Sequence, residues 1–234
     1  MNVIILTDSQ TRGIYPETGI YAAFHKEGGG FAESSDPKNL ISYEVPHDFD
    51  VIQIVLGGWT LQEGWTPRVQ EIVYSQCQER GWEPHEIDAV FIMGGLNDLR
   101  GNLLKDRTDE ESYQLRNELV KSIELLGERI EMRLSYRARK IFMGTGKIWG
   151  SSSLYRTEID PECLTSRFLD FTLFNYEICQ RSIVWSLENR NLEYRNVFQY
   201  SGDGDIGDEI GHPNLNGRRK IAREIEELLL MISS

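Results

Sequence analysis

The chain has 234 residues, 40% hydrophobic and 26% charged, with a formal net charge of 25 − 37 = −12 at pH 7. That length suits one large domain or two small ones, and a single domain of this size buries roughly 70–75% of its unfolded surface without staples. The acid excess argues against broad nucleic-acid or anionic-membrane binding, which needs basic patches, and no apolar run approaches the roughly 18 residues of a membrane span.

In chain order, residues 2–7 (NVIILT) read as a buried strand. His25 falls in a helical pattern followed by Gly28, Gly29 and Gly30, and a short strand near 41–45 (ISYEV) is allowed. Residues 50–56, 88–93, 139–143 and 193–199 are further strands, rich in β-branched or aromatic residues and bounded by Gly, Asp or Ser. A short helix over 66–80 separates the second and third of these five main strands. Residues 109–135 set Leu115, Leu119, Ile123, Leu126, Ile130 and Leu134 in one helical stripe. Residues 161–190 repeat the pattern with Phe168, Phe171, Phe174 and Ile178. A last helix over 213–232 has Pro213 at its first turn and Ile221, Ile225, Leu228 and Ile232 on its apolar face. The connection 144–160 is long enough to mark an ordered loop near a site, or a mobile surface loop.

Strand–helix alternation of this kind predicts a mostly parallel sheet with helices on both faces. No linker or repeat interrupts it, so residues 1–234 read as a single α/β domain. Cys77, Cys163 and Cys179 are odd in number and widely spaced, which predicts buried free thiols. The N-terminus has neither a basic region nor a long apolar stretch; no signal peptide is visible, and a cytoplasmic location is the default expectation.

In open parallel sheets, ligands bind beyond the carboxyl ends of the strands. The residues at those ends include Ser9, Gly58, Trp59, Asn97, Trp149, Asp208, Glu209 and His212, an inventory suited to nucleophilic acyl transfer. His47 and His85 precede strands and belong to the opposite edge, which leaves His212 at the productive edge, as a candidate base or a helix cap. A helix start disfavours imidazolium, so that base needs a carboxylate, and Asp208 and Glu209 are at hand. Ser9 follows a strand in a sharp turn, where a serine is by default a turn residue or a cap. Backbone N–H groups at Ser9 and Gly58 and the Asn97 amide are donor types that an oxyanion hole requires.

Four blocks carry a resemblance. Thr7-Asp8-Ser9-Gln10-Thr11-Arg12-Gly13 resembles the Gly-Asp-Ser-x-Thr-x-Gly block of the SGNH hydrolases, the GDSL-type esterase and lipase superfamily. Gly58-Trp59-Thr60 is similar to the second block, Gly95-Leu96-Asn97-Asp98 to the Gly-x-Asn-Asp block, and His212-Pro213-Asn214 to the last. They occur in family order over nearly the whole chain. The resemblance implies Ser9 as nucleophile, His212 as general base, and Ser9, Gly58 and Asn97 as the oxyanion hole. It also implies a flavodoxin-like three-layer α/β/α sandwich around a parallel five-stranded sheet of order 2-1-3-4-5. Two positions depart from the pattern: Thr7 stands in place of a glycine, and Glu209 stands three before the histidine, where the family has Asp. Either Glu209 or Asp208 is able to orient His212, with Glu209 slightly preferred.

Competing signals are weaker. Gly202-Asp203-Gly204-Asp205-Ile206-Gly207 satisfies GxGxxG, but its aspartates repel a pyrophosphate. The same aspartates suit Ca²⁺ in type but not in spacing. The P-loop, Gly-x-Ser-x-Gly, HExxH and zinc patterns are absent. The expectation is therefore a serine esterase needing no cofactor or metal and acting on a small-molecule or carbohydrate O-acyl ester. Short acyl groups, O-acetyl above all, are favoured if the Trp59 and Trp149 indoles sit at the rim. The alternatives are a lysophospholipase or thioesterase of the same superfamily, and a binding module whose catalytic apparatus has decayed. Asp203, Asp205, Asp208 and Glu209, with no nearby base between Ser201 and Gly211, add a local −4 that favours a neutral ester.

Overall fold

The computed structural model describes residues 1–7, 20–25, 31–33, 49–55, 60–95, 98, 108–132, 137–143, 176–184, 188, 192–195 and 215–234. Strand β1 is Asn2–Thr7, β2 Ile20–His25, β3 Phe31–Glu33 and β4 Asp50–Val55. A wide π-type turn over Leu61–Trp65 leads into helix α1, Thr66–Arg80. Strand β5 is Ile87–Met93, helix α2 Asp109–Glu131 and strand β6 Arg139–Phe142. Helix α3 is described over 176–184, strand β7 is Leu192–Tyr194 and helix α4 is Leu215–Ser233.

The strands form one sheet in the order β3-β2-β4-β1-β5-β6-β7. Every neighbouring pair is parallel except β2–β3. The five expected strands are β4-β1-β5-β6-β7, in the expected order and direction. Two strands extend that set at the β4 edge, and this corrects the helical reading of His25. The stretch Ile20–His25 is strand, with Ile20 to Phe24 in register with Val51 to Val55. Its central Ala22-Ala23 pair carries no decisive period, so hydrogen bonding to the exposed side of β4 sets the conformation. The candidate strand at 41–45 and most of the expected helix 161–190 lie outside the described residues.

Alternation along the strands sends successive side chains to opposite faces. Ile4, Leu6, Ile52 and Ile54 join α1 (Val69, Val73, Cys77), α2 (Leu119, Ile123, Leu126, Ile130) and Ile178 of α3 in one buried cluster. Val3, Ile5, Val51, Phe91 and Ile141 join α4 (Ile225, Leu228, Leu229) in the other. The three layers are thus α1–α2–α3, sheet, and α4. The expected stripe on α2 is the buried one, while Leu134 falls outside the described residues. Its start is fixed by a capping box: the Glu111 N–H donates to Thr108 Oγ1 at 3.2 Å and the Thr108 N–H to Glu111 Oε2 at 2.8 Å. Arg116–Glu177 and Arg181–Glu124 ion pairs bind α2 to α3.

Cys77 and Cys179 are free thiols. Burial pushes the Cys77 thiol up to about 11, so it is inert at neutral pH. Cys179 is only half-buried, less than expected. Among the described residues no helix is long and apolar enough to cross a membrane.

Candidate active site

The central strands β4, β1 and β5 end level. Thr7, the last residue of β1, is in register with Val55 of β4 on one side and Met93 of β5 on the other. Ser9 follows two residues after Thr7, Gly58 three after Val55, and Asn97 four after Met93. The chains bearing the expected nucleophile and two oxyanion donors therefore leave the sheet side by side. Ser9, Gly58, Trp59, Asn97, Trp149, Asp208, Glu209 and His212 themselves lie outside the described residues.

The residues flanking them are well defined. Thr7 is fully buried, and its hydroxyl has no hydrogen-bond partner among the described residues. It occupies the position where the resemblance sets a glycine, and its side chain is enclosed at the end of β1.

Beyond β5, geometry favours glycine at both Gly94 and Gly95. A Cβ at Gly94 would stand 3.1 Å from Leu61 Cδ2 and 3.1 Å from two ring atoms of Trp65. Gly95 has φ +101°, which L side chains rarely adopt. The Gly-Gly pair thus lets the π-type turn lie directly on the backbone that leads to Asn97.

Asp98 completes the joint. It is 4% exposed, and its carboxylate accepts the Leu61 N–H with Oδ2 at 2.9 Å and Oδ1 at 3.1 Å. Leu61 opens the turn, so its N–H lacks an acceptor within the turn itself. The turn is closed separately by the Trp65 N–H donating to the Thr60 carbonyl at 3.0 Å. Nothing in the sequence alone assigns Asp98 this role, beyond its place beside Asn97 in the Gly-x-Asn-Asp block.

His85 stands exposed in the turn Pro84–Glu86 ahead of β5, at the opposite edge as expected. His47 lies outside the described residues. No group of three or more His, Cys, Asp or Glu able to hold a metal occurs among the described residues; the acidic run at 201–211 is not among them.

No protein-family model and no curated protein matches the chain. Several solved structures do. An extracellular lipase from Streptomyces rimosus is similar at a TM-score of 0.59 and 12% identity, over 97% of this chain and 98% of the lipase. An aryl esterase from M. smegmatis gives 0.59 and 11%, over 99% of each chain. An acetyl-xylooligosaccharide esterase from Geobacillus gives 0.57 and 15%, over 97% of this chain and 92% of the esterase. At such identities a likeness establishes architecture, not chemistry. The chain has the SGNH hydrolase fold.

Proposed function

We propose that this protein is a serine ester hydrolase that cleaves O-acyl esters through an acyl-enzyme intermediate. The observation that carries the reading is the level end of β4, β1 and β5, with Ser9, Gly58 and Asn97 on tethers of two, three and four residues. Chain connectivity limits each tether to ~3.8 Å per residue, and neighbouring strands run only ~4.8 Å apart. Each group thus lies within about 8–15 Å of a strand end, which supports the reading that the three converge above the sheet centre. The joint between Leu61 and Asp98 brings the Gly58 and Asn97 chains together within that region.

In this mechanism Ser9 Oγ attacks the ester carbonyl while His212 takes its proton. The negative oxygen of the tetrahedral intermediate accepts hydrogen bonds from the Ser9 and Gly58 N–H groups and the Asn97 amide. Collapse expels the alcohol, which receives the proton from His212, and leaves the acyl group on Ser9. Water, deprotonated by His212, then attacks the acyl carbon, and the carboxylic acid leaves as Ser9 regains its proton. Glu209 or Asp208 orients His212 and stabilises its protonated form.

For the substrate we favour short acyl groups, O-acetyl on carbohydrate above all. One solved structure sharing the fold is an acetyl-xylooligosaccharide esterase. Trp59 and Trp149 supply indole faces of the type that sugar rings stack on, and the acidic run at 201–211 favours a neutral ester.

Mass spectrometry after treatment with a fluorophosphonate tests the nucleophile. Labelling at Ser9 supports the proposal; an unlabelled Ser9 in the folded protein rejects it. A p-nitrophenyl ester series then tests the acyl group: preference for the two-carbon chain supports deacetylation, and preference above eight carbons points to lysophospholipid or thioester substrates.

A further inference from the structure

We infer that Asp98 is a positioning residue for this reaction: its carboxylate, by accepting the Leu61 amide, sets the spacing between the oxyanion donors at Gly58 and Asn97. The inference rests on the reading of Ser9, Gly58 and Asn97 given above.

Leu61 is three residues beyond Gly58, and Asp98 is next to Asn97. The hydrogen bonds of 2.9 and 3.1 Å between them join the two donor-bearing chains directly, across a sequence separation of 37. A second contact acts in parallel. Leu61 and Trp65 rest on Gly94 so closely that a Cβ there would press on both side chains at 3.1 Å. Asn97 is thus bracketed by Gly94 and Asp98, both held to the same turn. The two holds differ in kind. The Gly94 contact is apolar packing and keeps the chains close. The Asp98 contact is directional and buried, so it fixes how far the turn slides along β5.

Oxyanion donors act only when aimed at the position where charge develops, and a displacement of about 1 Å at a reacting centre can lower rates about 100-fold. A carboxylate has the reach and paired oxygens to fix that distance. Removing the clamp should therefore impair the transition state more than substrate binding.

The test measures p-nitrophenyl acetate hydrolysis by full-length Asp98→Ala, Asp98→Asn and Asp98→Glu, with hydrogen exchange at the Leu61 amide and thermal midpoints in parallel. Asp98→Ala should lower kcat about 10- to 100-fold, with KM within about threefold, and deprotect Leu61. Asp98→Asn keeps an acceptor oxygen and should recover most of kcat. Asp98→Glu keeps the charge but lengthens the arm, so kcat should fall about 10-fold or more in a folded protein, which covers the case of an unfolded alanine variant. The effect of Asp98→Ala should also shrink severalfold when Asn97→Ala is already present, because both act on one donor set. Unchanged kcat in folded Asp98→Ala or Asp98→Glu, with Ser9 still labelled by fluorophosphonate, overturns the inference alone. A Ser9 that takes no label overturns the reading of the site, and the inference falls with it.

Discussion

At the N-terminal end of the sheet, side-chain charges join neighbouring elements. Arg80, closing α1, meets Asp50 at the start of β4 at 2.8 Å; Lys140 of β6 meets Glu131 at the end of α2 at 2.7 Å; Arg139, opening β6, meets Glu193 of β7. At the C-terminal end, the joint between the chains leaving β4 and β5 is of another kind. A carboxylate accepts a backbone amide, and two bulky side chains rest on a bare glycine. Long side chains tolerate small shifts in the elements they join, whereas a backbone joint transmits them. The first arrangement suits an end that needs only to be stable, and the second an end that must hold atoms at fixed distances. This yields a test: substitutions at the N-terminal end should change stability and spare turnover, and those at the C-terminal end should lower turnover.

The largest expected effect is on turnover. Ser9→Ala should lower kcat/KM for p-nitrophenyl acetate on the order of 10⁴-fold or more, and Asn97→Ala should lower kcat ~10²–10³-fold. Thermal midpoints of both should stay within a few degrees of the parent. Parent-like hydrolysis by folded Ser9→Ala would remove the chemical half of the contrast.

Lys140→Ala should do the opposite. The Lys140 side chain is 2% exposed and that of Glu131 29%, so deletion leaves a partly buried carboxylate without this partner. Breaking buried pairs costs about 3–5 kcal/mol, and the partial exposure of Glu131 puts this one near about 3 kcal/mol. Urea unfolding should show the loss while kcat at 25 °C is unchanged. A fall in kcat with full stability would break the comparison from the other side.

The same contrast separates what the sequence reveals from what it hides. NVIILT, DVIQIV and IDAVFIM announce strands because β-branched apolar runs of that length have little other use, and the α2 stripe is legible for the same local reason. The ends of those strands locate the candidate site in advance, through a general property of parallel sheets. His25 resists such a reading because β2 depends on pairing with β4, a partner remote in sequence. Asp98 resists it too: its acceptor role depends on Leu61 arriving from another strand, and no local pattern encodes that. The expected site features rest on motif order and strand ends, while the joint between Leu61 and Asp98 needed three dimensions.

Gly95→Ala should produce an intermediate effect and a mixed one. At φ +101° a Cβ adds strain of about 1–3 kcal/mol, visible as a lower thermal midpoint. Relief of that strain shifts the peptide just before Leu96 and Asn97, so kcat should fall with it. A stability loss with kcat intact would show that the backbone here absorbs displacement, contrary to a rigid joint.

Arg80→Ala marks the small end of the scale and sharpens the N-terminal half of the contrast. The Arg80 and Asp50 side chains are 32% and 43% exposed, so water screens both charges. Exposed pairs contribute about 0–1 kcal/mol, well below the Lys140–Glu131 pair at the same edge. The two pairs have nearly equal lengths, 2.8 and 2.7 Å, so distance does not separate them and burial does. The Arg80→Ala loss should therefore shrink as NaCl rises from 0.05 to ~1 M, where the screening length falls to ~3 Å. The Lys140→Ala loss should persist, because salt does not reach a buried ammonium. Equal salt sensitivity would mean that the N-terminal edge is held by surface charge throughout, and that burial gives Lys140 no separate role.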